Sequence, residues 1–265
     1  MQNIVQAVYY SGERLLKKSH FHDCHQIILI LKGNVEFSVN GITNRAGAGD
    51  IAIFNRYENH SVRIRSAEYE RYVLHIDPDV VNGKSGVYSL LTDRPAGFCN
   101  IINIAPHVED VVGIFKGLMC EKGGESVLAD EMEQLLVKQL LIKIYRCTDL
   151  QFDSMRDDLV SDIKRQFENA YDEHYTLDGL ARQYGVSVSA LSHRFRTVTG
   201  MPVMGYLQFC RIAHAKRMLA YTDLCIGEIV EKCGFSDNSN FSRTFKNLNG
   251  TSPTDFRKQY RFKAE

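Results

Sequence analysis

Two stretches near the C-terminus carry side chains suited to reading the edge of a base pair. Over 188–198, Ser189, Ser192, His193 and Arg196 share one side of a helical period, and over 237–248 so do Asn238, Ser239, Asn240, Ser242 and Arg243. Asn and Arg can each pair bidentately with a purine edge, while hydroxyls adapt to either base type. One such face alone is what any solvated helix presents. Two in tandem turn the balance toward nucleic acid. A third group lies near the N-terminus, where alternation puts His20 and His22 on one face of a strand, with Gln26 close behind. Imidazoles and an amide suit a polar ligand or a divalent metal, and they also occur as ordinary structural groups.

The elements that position these groups fall into two halves. LARQYGVSVSALSHRFRTVTG (180–200) is similar to IVEKCGFSDNSNFSRTFKNLNG (229–250), a weak internal repeat. Each copy reads as a helix ending at a Gly (185 or 234), a short polar turn and a second helix. Leu191, Phe195 and Val198 form the inward face of one second helix, and Phe241, Phe245 and Leu248 that of the other. Between them, 203–221 predicts a connecting helix about 28 Å long at ~1.5 Å per residue. One turn of B-DNA spans about 34–36 Å, so a single chain is expected to reach two successive major grooves.

Residues 1–100 read as strands: QIILIL (26–31), VEFSVN (35–40), DIAIFN (50–55), SVRIRS (61–66) and YERYVLHI (69–76), punctuated by Gly33, Asn40-Gly41, Gly47 and Gly49. Short, evenly spaced strands favour a barrel or jelly roll. After Pro106, residues 107–122 and 126–147 predict two helices. Leu128, Met132, Leu135, Gln139 and Ile142, widened by Leu136 and Leu140, form a stripe that either packs on the barrel or makes a dimer seam. Thr148–Ser154 reads as a linker.

Charge sharpens the division. The 265 residues balance to a formal net charge of zero, yet 181–265 carry 13 Lys/Arg against 6 Asp/Glu, and 1–180 carry 19 against 26. The basic third is the one expected to meet a polyanion. No run approaches the ~20 apolar residues of a membrane span, and the first twenty residues lack the order of a signal peptide. Seven cysteines without a C-x-x-C pair predict reduced, mostly buried thiols in a cytoplasmic chain.

Residues 157–265 resemble the tandem helix-turn-helix domain of AraC/XylS-type transcription regulators. The resemblance rests on SxSxLSxxFRxxTG (187–200), YLQFCRIAHAKRML (206–219) and IGEIVEKCGFSDNSNFSRTFKNLNGTSPTDFRK (226–258). It implies that 188–198 and 237–248 are recognition helices. Ser189, Ser192, His193, Asn238, Ser239, Asn240, Ser242 and Arg243 then face bases, while Arg194, Arg196 and Lys246 contact phosphates. The first helix is poor in long side chains, which makes His193 its main specificity candidate. The N-terminal half resembles the family's cupin sensor, through H20-x-H22-x3-Q26-x6-G33 and G49-x5-N55-x-Y57-x2-H60. Gln26 stands where a metal-binding cupin usually has Glu. The resemblance brings His60 near His20 and His22 inside the barrel, with Arg45, Tyr57 and Tyr72 as further pocket candidates.

The expected architecture is α+β and multidomain: a cupin-like ligand-sensing barrel (1–104), a helical dimerisation segment and linker (105–154), and an all-α domain with two helix-turn-helix units (155–265). The expected function is sequence-specific, ligand-responsive transcription regulation. The effector is a small polar molecule, a sugar among the candidates, bound without cofactor or metal. The expected partners are double-stranded promoter DNA, a second copy of the chain and, for an activator, RNA polymerase, with no membrane. Two rivals stay open: a metal-dependent cupin enzyme fused to a DNA-binding module, and a constitutive regulator whose barrel is only a scaffold.

Overall fold

The computed structural model describes residues 5–12, 17–20, 22, 24–39, 41–56, 58–77, 80, 88–92, 99–121, 128–148 and 158–261. The chain divides into two compact units, 1–156 and 157–265.

The first unit is built on β-branched runs long enough to bury both faces of a strand. Its strands are β1 (Val5–Ser11), β2 (Lys17–His20), β3 (His25–Lys32), β4 (Val35–Val39), β5 (Ile42–Ala46), β6 (Asp50–Phe54), β7 (His60–Ile64), β8 (Glu70–Ile76) and β9 (Ile101–Asn103). They form a five-stranded sheet, β1-β8-β3-β6-β9, and a four-stranded sheet, β2-β7-β4-β5, with antiparallel pairing throughout. Between the sheets, Ile28, Ile30, Ala52, Phe54 and Val73 meet Val35, Phe37, Val39 and Ala46. Gly33, which turns β3 into β4 at φ +89°, has no room for a Cβ because Glu68 O and Ser66 Oγ occupy that space.

The opposite face of the larger sheet carries Ile27, Leu29, Ile51, Ile53, Leu74 and Ile76. It is covered by α1 (Ser89–Thr92), α2 (Val108–Glu121) and α3 (Ala129–Arg146). Val111, Ile114, Phe115 and Leu118 from α2 pack there with Val137, Leu140, Leu141 and Ile144 from α3. Leu140 therefore belongs to the barrel-facing side of α3. Leu128, Met132 and Leu135 stand on the other side, 60, 44 and 62% exposed.

The second unit holds α4 (Asp158–Asn169), α5 (Leu177–Gln183), α6 (Val188–Thr199), α7 (Val203–Tyr221), α8 (Ile226–Lys232), α9 (Asn238–Asn249) and α10 (Pro253–Arg261). Ile212, Ala215 and Leu219 of α7 share a core with Ile229 and Val230 of α8, Phe241 and Phe245 of α9, and Phe256 of α10. Arg211 fastens α7 to the turn after α4 by donating to Tyr171 O and Glu173 O, both at 2.8 Å. The two short leading helices, α5 and α8, end in the tight turns expected at Gly185 (φ +65°) and Gly234 (φ +69°). Gly234 is further constrained, since a Cβ there would meet Asp172 O at 2.5 Å.

The cysteines depart from expectation. None of the seven is in a disulfide, but only Cys210 and Cys233 are buried, and Cys99, Cys120 and Cys225 are exposed. Among the described residues, no helix is long and apolar enough to cross a membrane.

Phe115 is the side chain on which the sheet-to-helix layer turns: fully buried, with its ring stacked on Tyr72 at 5.2 Å. Phe115→Ala is expected to cost about 3–5 kcal/mol. Chemical denaturation should show that loss in the transition of the first unit.

Candidate ligand chamber and nucleic-acid interface

The barrel interior is not uniform. Alternation along β8 turns Val73 and His75 to the same face, and along β7 it does so for His60, Val62 and Ile64. One end of the space between the sheets is therefore aliphatic, and the other gathers imidazoles. His20 and His60 are register partners across β2 and β7, with ring centroids 4.5 Å apart. His22, two residues on and past the end of β2, closes the group at 4.9 Å from His20 and 5.4 Å from His60.

His60 is the most deeply set of these, 1% exposed, and lies flat on Phe54 at 4.1 Å. Its Nδ1 donates to Glu58 O at 3.0 Å. A carbonyl only accepts, so this bond puts the proton on Nδ1 and leaves Nε2 as the basic nitrogen. Gln26 also faces this end, and its Nε2 donates to His75 Nε2 at 2.8 Å. His75, whose ring centroid is 5.4 Å from that of His22, was absent from the residues expected from sequence. Its signal was available in the parity of β8, where Arg71, Val73 and His75 alternate with Tyr72, Leu74 and Ile76.

The structure brings together His20, His22, Gln26 and His60 and separates two other pocket candidates from them. Arg45 projects from the outer surface of β5, its side chain 89% exposed, and donates to Glu36 Oε1. Its neighbour Ala46 takes the inward position. Tyr72 is buried, but on the face of β8 that meets the helices, between Tyr9 and Phe115. Both corrections have one cause, the two-residue alternation of a strand. Tyr57 lies outside the described residues. At the opposite end, Arg71 lies over the rings of Tyr10 and Tyr69 at 4.9 and 4.6 Å. Burial raises the Tyr69 hydroxyl to a pKa of about 12.

The second unit presents its polar helix faces outward. Leu191 and Phe195 are buried on α6, leaving Ser189, His193, Arg194 and Arg196 exposed and Ser192 half-buried. On α9, Phe241 and Phe245 are buried, Asn238, Ser239, Arg243 and Lys246 are exposed, and Asn240 and Ser242 are half-buried. Both helices begin with a side-chain cap: Ser187 Oγ accepts from Ala190 N at 3.2 Å, and Asp237 Oδ1 accepts from Asn240 N at 2.7 Å. These caps satisfy helix-end N–H groups and fix where each face begins. Asp237 was not singled out from sequence, although it occupies the S/T/D/N position just before a helical run. Asn240 Oδ1 accepts, at long range, from Arg243 Nη2 at 3.4 Å and Thr244 Oγ1 at 3.5 Å within its own helix.

An antiparallel two-sheet barrel with histidines clustered at one end, joined in one chain to two helix-turn-helix units, fits a ligand-binding transcription regulator. Residues 5–141 match the family described as "AraC-like ligand binding domain", and residues 180–259 that described as "Helix-turn-helix domain". The chain belongs to the AraC family of DNA-binding transcription regulators, which are not enzymes. The HTH-type transcriptional activator RhaS of Salmonella schwarzengrund (strain CVM19633) is 25% identical over 241 residues, which cover 90% of this chain and 86% of the relative. RhaS of Salmonella typhi is 24% identical over the same extent. Among solved structures, an apo variant of ToxT from Vibrio cholerae strain SCE256 aligns with a TM-score of 0.64 at 14% identity, covering 98% of both chains. ToxT from Vibrio cholerae O395 aligns with a TM-score of 0.61 at 13% identity, over 97% of this chain and 98% of that one. These two likenesses concern the fold.

Two consequences of the helix faces are measurable. If Arg243 contacts guanine bidentately, Arg243→Ala relaxes preference at one base position by about 1–3 kcal/mol, and if Arg196 holds a phosphate, Arg196→Ala weakens all sequences alike. Binding assays on single-base operator variants separate the two. Asp237 titrates below the ordinary carboxylate range because its ionised form accepts the Asn240 N–H, with Ser236 adding a second hydrogen bond. A depressed acid contributes stability above its unfolded pKa and loses it as pH falls through the folded value. Asp237→Asn should therefore flatten the acid limb of the second unit's stability profile, followed by helical circular dichroism.

Proposed function

We propose that the chain is a cytoplasmic regulator whose barrel binds a small polar molecule, a sugar among the candidates, at the imidazole-lined end. The observation that carries this reading is the convergence of His20, His22, His60 and Gln26 on one end of the space between the sheets. Effector binding regulates DNA occupancy only if one arrangement of the chain holds the effector more tightly than another. The domain limits that accompany this reading are a sensor at 1–104, a helical dimerisation segment at 105–154 and a DNA-binding domain at 155–265. Ser189, Ser192, His193, Asn238, Ser239, Asn240, Ser242 and Arg243 read bases, and Arg194, Arg196 and Lys246 hold phosphates.

Two further parts belong to the proposal. The chain dimerises through α3, where Leu128, Met132 and Leu135 stand exposed beside a groove lined by Leu135, Lys138, Gln139, Ile142, Lys143 and Arg146. The relatives named activators support a role in which the DNA-bound protein contacts RNA polymerase.

A thermal-shift screen of sugars and other small polar molecules in chelator-containing buffer tests the effector. A true effector raises the melting temperature by mass action. His22→Ala/His60→Ala should abolish that shift while promoter binding persists, and a full response in the double variant would overturn the assignment. For the interface, Leu135→Glu/Ile142→Glu should sediment as monomer. On DNA, inserting ~5 bp between the two contacted segments should abolish two-site footprints, because a rigid α7 cannot follow half a helical turn. Changing the intervening bases at fixed length should cost far less.

A further inference from the structure

We propose that the outer face of the four-stranded sheet is a second nucleic-acid surface, which holds phosphates of duplex DNA flanking the segment read by the recognition helices. Val35, Phe37, Ala46, Val62 and Ile64 take the inward positions on β4, β5 and β7. The alternate positions therefore face out. Two cross-strand rows cover that side: Arg45–Glu36–Arg63 and Thr43–Ser38–Ser61. Arg65, just past the end of β7, joins the first row by donating to Glu36 Oε2 at 2.6 Å. Arg45 donates to the other oxygen, Glu36 Oε1, at 3.3 Å.

This face is positive where the surrounding composition is not. Glu36 is the one carboxylate in the two rows, its side chain 13% exposed, and it is shared by guanidinium groups whose side chains are 89 and 47% exposed. Arg63 stands opposite Glu36 in the β4–β7 register, is exposed, and has no ion-pair partner among the described residues. Residues 1–180 carry 19 Lys/Arg against 26 Asp/Glu. Three arginines gathered around a single acid run against that balance, and they leave a net positive surface for an anion.

The chemistry of the rows selects phosphate. A guanidinium engages two oxygens of one phosphate in a fork, and Ser and Thr hydroxyls donate to phosphates as well. Neighbouring strands lie about 4.8 Å apart, so Arg45 and Arg63 stand roughly 9.6 Å apart across β4, about three 3.4 Å steps of one DNA strand. Neither row contains an aromatic or aliphatic side chain, so the face lacks the apolar anchor on which protein interfaces are centred. DNA also has an advantage over any free acidic partner. The same chain already holds the duplex, so a second contact with it is intramolecular, and the high effective concentration fills a site too weak to capture a partner from solution.

The test uses the full chain and a duplex of ~20 bp that it selects from random sequence, offered alone and centred in ~60 bp of unselected flanks. Affinity for the short duplex reports the helix-turn-helix contacts, and the gain from the flanks reports this face, so each reading can fail by itself. Anisotropy titrations are expected to show tighter wild-type binding to the longer duplex. That gain should shrink about tenfold between ~50 and ~200 mM salt, as two neutralised phosphates require. Arg45→Ala/Arg63→Ala should lose the gain while keeping the wild-type affinity for the short duplex. Lys116→Ala, at an exposed position on α2, removes a charge from the same unit and should keep the gain. Where circular dichroism shows the double variant unfolded, a photoreactive benzophenone side chain placed at Thr43 decides, with cross-links expected to the flanks of the longer duplex. No flank-dependent gain in the wild type, a gain retained in the double variant, an equal loss on both duplexes, or cross-links only to a second copy of the chain would each overturn the proposal.

Discussion

Strand β3 must hide both of its faces, and the first unit is arranged around that requirement. Its six residues from His25 to Ile30 are all buried, and it runs through the middle of the larger sheet. A central strand of this composition is stable only between two covering layers. The smaller sheet supplies one cover and the α2–α3 pair the other. The histidine cluster arises because the first cover is incomplete in apolar residues toward one end, where imidazoles take over the packing. The uncovered stripe on α3 follows from the second cover, since a helix that buries Val137, Leu140, Leu141 and Ile144 has its remaining apolar side turned outward.

Much of this was legible in the residues, and the misses share a physical pattern. Runs such as QIILIL and DIAIFN announce themselves because two-sided burial leaves no polar interruption. Strands β2 (KKSH) and β5 (ITNRA) lie at the edges of the four-stranded sheet and carry little apolar signal, so tertiary pairing rather than local pattern makes them strands. Arg45 and Tyr72 were candidates by residue type alone. Strand parity assigns each to the wrong face, and the same parity points to His75.

The second unit was easier to read because helical periodicity carries information over many turns. The predicted recognition helices at 188–198 and 237–248 correspond to Val188–Thr199 and Asn238–Asn249. The buried faces at Leu191 and Phe195, and at Phe241 and Phe245, follow the same three- and four-residue spacing. What periodicity does not convey is how helix ends are satisfied. A thiol in the N-cap of α8, with Glu228 accepting from Cys225 N at 2.6 Å, is not a pattern that residue type suggests. Charge separation between the two halves of the chain was visible from composition alone, and it agrees with the outward Arg and Lys side chains on α6 and α9.

The two helix-turn-helix turns look equivalent but are held by different forces. At Gly185 a side chain would meet open space and suffer only from the positive φ, a penalty confined to the backbone torsion itself. At Gly234 the same change drives a methyl group into the backbone of Asp172, in the segment that Arg211 clamps from α7. One turn is therefore a local conformational preference, and the other is a keystone whose removal displaces neighbouring chain. The halves of a near-duplicate module thus have unequal freedom to vary: the first can drift in sequence and retune its contacts, while the second is anchored to the frame that carries it.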